Sequence, residues 1–257
     1  MKKEKKYSLF LEFLFLMTEK ELRSRYKYTI FGFIWLIINP LLQMLTIGFI
    51  FTFFSKQPID NYYFYLFIGL LIWNFFSLSL SKATPSIVWE RNLIKKSFFP
   101  RAIIPISIVL SNLVHLIIAV LLFSIPVFFV HQITFLGIFN ILISFIFLTI
   151  FTSGISLFTS SLNVKYRDVN FIVQALLIVW FYATPIIYEL SMIPNNYYWI
   201  WRFNPLTSIL QLMQNGFLGM NLPELPILFF NLLIIFIVFF LGIKTFNSES
   251  KDFDDWL

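Results

Sequence analysis

The sequence predicts an all-α membrane protein with six transmembrane helices, and three observations predict it. Of 257 residues, 59% are hydrophobic and only 12% charged, whereas a water-soluble domain carries roughly 45–50% apolar and about 25% charged residues. The charges are clustered, leaving long stretches free of Asp, Glu, Lys and Arg. Finally, the cations fall almost entirely on one of the two sides that those stretches define. A soluble enzyme with this composition would have too little polar surface to face water. The net charge of +6 therefore does not mark a nucleic-acid binder. With no Cys there is no disulfide framework, thiolate metal site or cysteine nucleophile. Only His115 and His131 are present, which argues against His-rich zinc chemistry.

The segment 1–27 begins MKKEKKYSLFLEFLFLM, with the basic start and apolar run of a signal peptide. Glu12 interrupts the run, the charge-dense TEKELRSRYK follows, and no small-x-small cleavage site is present. The segment is therefore expected to remain in the mature protein. Leu9, Phe10, Phe13, Leu14 and Met17 recur at helical spacing, with Glu12, Glu19, Lys20 and Arg23 elsewhere on the wheel. That division predicts an amphipathic helix lying in the headgroup plane on the cytoplasmic face. The alternative is a solvated helix packed on a partner.

A charge at mid-bilayer costs roughly 2.5–3.5 kcal/mol on insertion scales, so charge-free runs mark the spans. The first is Tyr28–Ser55 and the second Asn61–Ser81. The run Ala102–Val164 holds two helices and a turn at ~20 residues per crossing. The turn is placed near Pro126–Thr134, where VFFVHQIT supplies polar breakers. A fifth span fits Val169–Tyr188 and a sixth Leu225–Ile243, giving a transmembrane domain over 28–246 and a tail over 247–257. Between them, Phe203–Pro223 is also charge-free, but NPLTSILQLMQNG is polar and Pro194, Pro205 and Pro223 interrupt it. Irregular backbone survives at membrane depth only where protein or water satisfies it. Residues 189–224 therefore read as an external re-entrant segment of short helices dipping part-way into the membrane.

Six spans put the N-terminal segment, the 82–101 loop, the 165–168 turn and the tail on one side. Of the 19 Lys and Arg residues, all but Lys56 and Arg202 lie there. By the positive-inside rule that side is the cytoplasm, and both termini are cytoplasmic. A seventh span would misplace Lys244 and Lys251.

No G-x-x-x-x-G-K-S/T loop occurs, so energy from ATP must come from another polypeptide. A Ser–His acyl-transfer pair from Ser156 and His115 is conceivable, but position 158 is Phe where a nucleophile elbow needs Gly. Thr149, Thr152, Ser153, Ser156, Thr159 and Ser160 instead form a helical stripe of small hydroxyl residues suited to close helix packing or to lining a pathway. No chain of buried acids suggests proton coupling; Asp168 sits at the boundary beside Lys165 and Arg167.

The loop WERNLIKKSFFPRAIIP is basic and amphipathic, with Asn92 a candidate N-cap and Pro100 a helix stop. Leu93, Ile94, Phe98 and Phe99 suit insertion into a groove on a cytosolic partner. Equally, Lys95, Lys96 and Arg101 suit ordinary positive-inside anchoring. The segment around Tyr188, Tyr197, Tyr198, Trp199, Trp201 and Phe203, with Tyr62, Tyr63, Tyr65 and Trp73, is either an interfacial aromatic belt or a sugar-stacking surface at a pore mouth.

Five blocks in order, LRSRYKYTIFGFIWLIINPLLQM, NLIKKSFFPRAIIPIS, SLNVKYRDVNFIVQ, TPIIYELSMIP and RFNPLTSIL, resemble the permease subunit of ATP-binding-cassette exporters for polysaccharides or teichoic acids. The resemblance runs from about Leu9 to Phe246 and does not separate O-antigen, capsule, other glycan and teichoic acid members. It implies a homodimer docked on two copies of a nucleotide-binding ATPase, which alone binds ATP and Mg. It implies ATPase coupling through Asn92, Leu93, Ile94, Lys95, Lys96, Phe98, Phe99, Pro100 and Arg101. Arg23, Arg25 and Tyr26 would stand where a lipid-linked substrate's phosphates come in, a role suited to Arg forks. Tyr166, Arg167 and Asp168 match the family's cytoplasmic turn, and the blocks at Thr184–Tyr188 and Asn204–Leu206 flank its external re-entrant helices.

The expected activity is therefore a channel gated by an external motor in the cytoplasmic (inner) membrane. The first and fifth spans would face each other across the dimer axis, with Trp35, Trp73, Trp180 and Tyr182 as aromatic lining. An exporter of drugs or simple lipids on the same fold, and an intramembrane transferase or protease, are the alternatives.

Overall fold

The computed structural model describes residues 2–27, 32–54, 61–96, 99–194 and 196–257, with the side chains of 2–9, 26, 33, 54 and 198 outside that description. All regular structure among the described residues is helical. Five helices are long and apolar enough to cross a membrane: α2 (Trp35–Phe54), α3 (Tyr62–Trp89), α5 (Ile103–Val130), α6 (Phe135–Lys165) and α10 (Leu225–Glu249). The others are α1 (Lys2–Tyr26), α4 (Arg91–Lys96), α7 (Asp168–Tyr182), α8 (Tyr198–Arg202), α9 (Pro205–Leu218) and α11 (Phe253–Trp256).

The long charge-free run divides at His131–Thr134, later than the start of the predicted window. Pro126 is absorbed inside α5, and Thr134 closes the turn by accepting from the Gly137 amide at 3.1 Å to cap α6. The fifth predicted span comes out shorter than expected. The 15 residues of α7 cover about 22 Å at 1.5 Å per residue, less than a hydrocarbon core of about 30 Å. Pro185 ends it, lacking a donor and driving Thr184 out of the helical region. The chain continues from Ala183 to Tyr188 without regular helix.

α3 is the centre of the bundle, packed against α2, α5, α6, α7 and α9. In its spanning window 67% of residues are buried, against 11% for α2. Lipid offers apolar helices no hydrophobic reason to associate, so close approach through small residues has to hold them. A Cβ added at Gly242 of α10 would fall 2.1 Å from the Gly154 carbonyl oxygen of α6, so these two backbones touch. The stripe around Thr152 and Ser156 lies on the opposite, also buried, face of α6, where Thr159 meets Thr84 of α3 at 2.9 Å, and packs toward α3.

A second apolar cluster gathers Met17, Ile94, Ile103, Ile104, Phe246 and Phe253 at the basic end of the bundle. Here α1 packs on α5, and Lys20 reaches Glu90 at 2.6 Å. Met17 is buried and Phe10, Phe13 and Leu14 half-buried against protein. A different flank, Leu11 and Phe15, stays uncovered. The apolar face read from the sequence thus meets the chain's own bundle. The opposite, far end carries Tyr62, Thr134 and the start of α10.

Candidate functional site

Two polar regions interrupt the apolar body between α2, α3 and their neighbours. The first begins at Arg25, in the last turn of α1. Its Nη2 donates to Asn112 Oδ1 at 2.6 Å and its Nη1 contacts His115 Nδ1 at 2.5 Å, both on α5. Asn112 Nδ2 in turn donates to Ser79 Oγ of α3 at 3.0 Å. Arg25, Asn112 and His115 border a cavity of about 300 Å³ whose remaining wall includes Trp35, Asn39 and Asn74. Buried Asn112 has a reason to be there: it satisfies a guanidinium brought inside the bundle.

The second region is a groove of about 510 Å³ between α2, α3 and α7. Leu70, Trp73, Asn74, Ser77 and Ser81 follow one another at helical spacing along one face of α3. Gln174, Ile178, Phe181 and Tyr182 do the same on α7, and Gln43 and Ile47 on α2. Asn39, Gln43 and Asn74 form an amide chain: Gln43 Nε2 donates to Asn39 Oδ1 at 3.3 Å, and Asn74 Nδ2 to Gln43 Oε1 at 3.2 Å. Because Asn74 borders both spaces, this chain is the partition between the Arg25 cavity and the groove. Chemically the groove offers exchangeable amide and hydroxyl hydrogen bonds alongside aromatic faces, with no ionised group among its bordering residues.

The predicted aromatics divide between these surfaces. Trp73, packed on Phe181 at 5.3 Å between ring centres, and Tyr182 border the groove, and Trp35 borders the Arg25 cavity. Trp180 does neither. It is wedged against Phe76 and Phe151 at 5.1 and 5.9 Å, and its Nε1 donates to Asn204 Oδ1 at 3.1 Å. Phe76 lies 14 residues beyond Tyr62, about 21 Å down α3 from the far end. Asn204 is therefore near the middle of the bundle, where α7 has already ended. Its Nδ2 donates to the Ala183 carbonyl and to Thr184 Oγ1, at 3.1 and 2.9 Å, and its Oδ1 caps α9 through the Leu206 amide at 3.2 Å. One side chain thus satisfies the backbone on both sides of a break in helical structure. From there α9 returns to the far end, where Asn215 accepts from Asn140 Nδ2 at 2.8 Å.

At the basic end, the loop differs from its predicted form. Ile94 donates its amide to the Glu90 carbonyl at 3.1 Å, so α4 starts before Asn92, which is an exposed residue inside the helix and not its N-cap. Ile94 is buried and Leu93 and Phe99 half-buried, Phe99 against Phe13 at 4.8 Å. These apolar side chains face the chain's own core, where α1 and the start of α5 supply an apolar surface. Arg91, Asn92, Lys95, Lys96 and Pro100 are left outward; Phe98 and the side chain of Tyr26 lie outside the described residues. Arg101 belongs to the tail, reaching the Ser250 carbonyl at 2.5 Å and Asp254 at 2.6 Å, with its guanidinium over the Phe253 ring. Arg167 Nη2 meets the Trp256 carbonyl at 3.5 Å, Lys165 lies over Tyr166, and Asp168 opens α7, where its charge complements the helix dipole. Arg23 is exposed and paired with Glu19 on its own helix. Among the described residues Ser156 Oγ has no hydrogen-bond partner, so Ser156 and His115 form no bonded dyad.

Residues 12–218 match the family described as ABC-2 type transporter. The chain belongs to that family. Two O-antigen export system permease proteins RfbA from Klebsiella pneumoniae are 35% and 34% identical to it, each match covering 98% of both chains. A protein of the same name from Myxococcus xanthus is 30% identical over 92% of both. Membership of the ABC-2 type makes this chain a multi-pass transport permease. The sequence reading concentrated on aromatics and overlooked Asn39, Gln43, Asn74, Asn112 and Gln174, and named Asn204 only as the edge of a block. A signal was available in each case: an amide inside or beside a charge-free run is a marked residue in its own right.

Proposed function

We propose that the chain is the membrane subunit of an ATP-driven exporter that carries a lipid-linked polysaccharide of the O-antigen type out across the cytoplasmic membrane. The near-full-length match to permeases named for O-antigen export carries this reading. Two copies assemble with two ATPase subunits that bind ATP and Mg, and the grooves between α2, α3 and α7 combine into one path. A groove of amides, hydroxyls and aromatic faces suits a neutral polymer that has to slide, since each hydrogen bond can be exchanged for its neighbour and none is charge-assisted. The thin cover over α2 fits a span that completes its surroundings with a second copy.

In this reading the basic end faces the cytoplasm, with both termini, by the positive-inside rule. α7 with the 183–188 stretch acts as the fifth of six spans, and α8 and α9 form the re-entrant external segment. α1 lies at the interface with Leu11 and Phe15 toward lipid. The ATPase pushes on the outward residues Arg91, Lys95 and Lys96, and the packed Ile94 and Phe99 pass that displacement to α1, α3 and α5. Arg25 receives a phosphate of the lipid carrier, exchanging neutral acceptors for an anion.

Deletion of the chain in its host, followed by separation of surface from cell-internal glycan, tests the reading. Lipid-linked polysaccharide should accumulate inside while the surface loses it. Unchanged surface polysaccharide in the deletion strain would overturn the assignment.

A further inference from the structure

A third space opens at the far end, apart from both regions described above. It has a volume of about 390 Å³ and lies between the 185–191 stretch, α8, α9 and the start of α10. Its polar walls include Glu189, Arg202, Gln211, Gln214 and Glu224, and Met220 and Ile227 supply apolar surface. Arg202 and Glu224 pair with each other, so the pocket joins α8 to the first turn of α10. Gln214 is only 4% exposed and sits beside the Tyr65 hydroxyl, yet among the described residues its Nε2 completes no hydrogen bond of normal geometry. Buried amide donors are ordinarily satisfied, and the Gln214 side chain lines this pocket beside the Tyr65 hydroxyl.

We propose that this pocket binds a single sugar residue of the exported glycan on the exit side; the proposal rests on the polysaccharide-export reading above. The chemistry selects the ligand class. Two glutamines, two carboxylates and an arginine around one concavity provide both donors and acceptors in planar pairs, which suits neighbouring ring hydroxyls. The apolar patch of Met220 and Ile227 suits the C–H face of a pyranose ring. A lipid chain would leave the amides and carboxylates unsatisfied, and a bare phosphate would meet Glu189 and Glu224. The site is distinct from the groove. Tyr65 lies eight residues before Trp73 on α3, about 12 Å nearer the far end. A sugar held there keeps a polymer engaged between strokes of the motor.

The test uses the full chain with its ATPase partner in lipid nanodiscs and, as probe, the host's O-polysaccharide freed of its lipid. Saturation-transfer NMR and titration should show binding to the unmodified complex. Gln211→Leu, at the half-buried edge, and Gln214→Leu should each weaken it about tenfold or more and slow export, with ATP hydrolysis retained. If Gln214→Leu fails to assemble, Gln211→Leu alone decides the matter. No binding by the unmodified complex, or equal binding by the Gln211 variant, overturns the site while leaving export intact. Failure of the export reading shows separately, as normal surface glycan in the deletion strain.

Discussion

Replacing Asn204 by leucine tests how a break in helical structure survives inside a bilayer. The substitution preserves approximate volume and removes four hydrogen bonds, to Trp180 Nε1, the Ala183 carbonyl, Thr184 Oγ1 and the Leu206 amide. Polar contacts within membrane bundles average about 0.6 kcal/mol each, which sets a lower figure of about 2.4 kcal/mol for four. Three of the abandoned groups, the indole N–H, a carbonyl and a backbone amide, have no other bond among the described residues. Leaving buried groups unsatisfied at about 1–3 kcal/mol each raises the loss toward 4 kcal/mol or beyond. On the scale of about 2–4 °C per kcal/mol for a chain of this size, the midpoint should fall by roughly 5–15 °C. Heating detergent-solubilised protein and following the folded fraction by size exclusion reads this directly. Trp180→Phe removes one of the four bonds and should cost about 1 kcal/mol alone but much less in the Asn204→Leu background. A leucine variant within 1 °C of the unmodified protein would refute the view that Asn204 holds the break together.

Gly242→Val should abolish a monodisperse bundle, because its Cβ would lie 2.1 Å from the Gly154 oxygen; size exclusion after solubilisation checks it. Asn112→Leu removes the acceptor that Arg25 uses and should destabilise the fold by about 1.5–3 kcal/mol, measurable as a lowered melting midpoint. Adding Arg25→Met should recover most of that stability without recovering export. Phe253→Ala empties a site that is 1% exposed and should release the tail, seen as faster proteolysis beyond Phe246 with little change in the bundle's melting.

Periodicity and charge carried the sequence reading furthest where one physical rule dominates. Five of the spans followed from the avoidance of charge in hydrocarbon together with span length, and polar breakers placed the turn between the third and fourth. Local chemistry set limits on the rest. Val169–Tyr188 reads as a uniform apolar run, and the end of its helix depends on Pro185 together with a partner, Asn204, nineteen residues later. No local window joins these two. The loop residues Leu93, Ile94 and Phe99 illustrate a different limit. Their amphipathic spacing is legible, but an apolar face does not state whose surface it meets, and α1 supplies that surface from some eighty residues away. Arg25 was singled out as a candidate phosphate contact, and the structure brings it inside the bundle. Arg23, two positions earlier on the same helix, points to the opposite side.

The contact between Gly154 and Gly242 has a mechanical corollary. Two rods whose main chains meet cannot slip past each other without first separating, so α6 and α10 behave as a fixed frame. α2 meets α3 through the Asn74–Gln43 bond, the Tyr63 ring against Gly48 and Phe51 stacked on Tyr62, and much less of it is buried. In the proposed exporter, any widening of the path falls to the side carried by α2, the less buried helix.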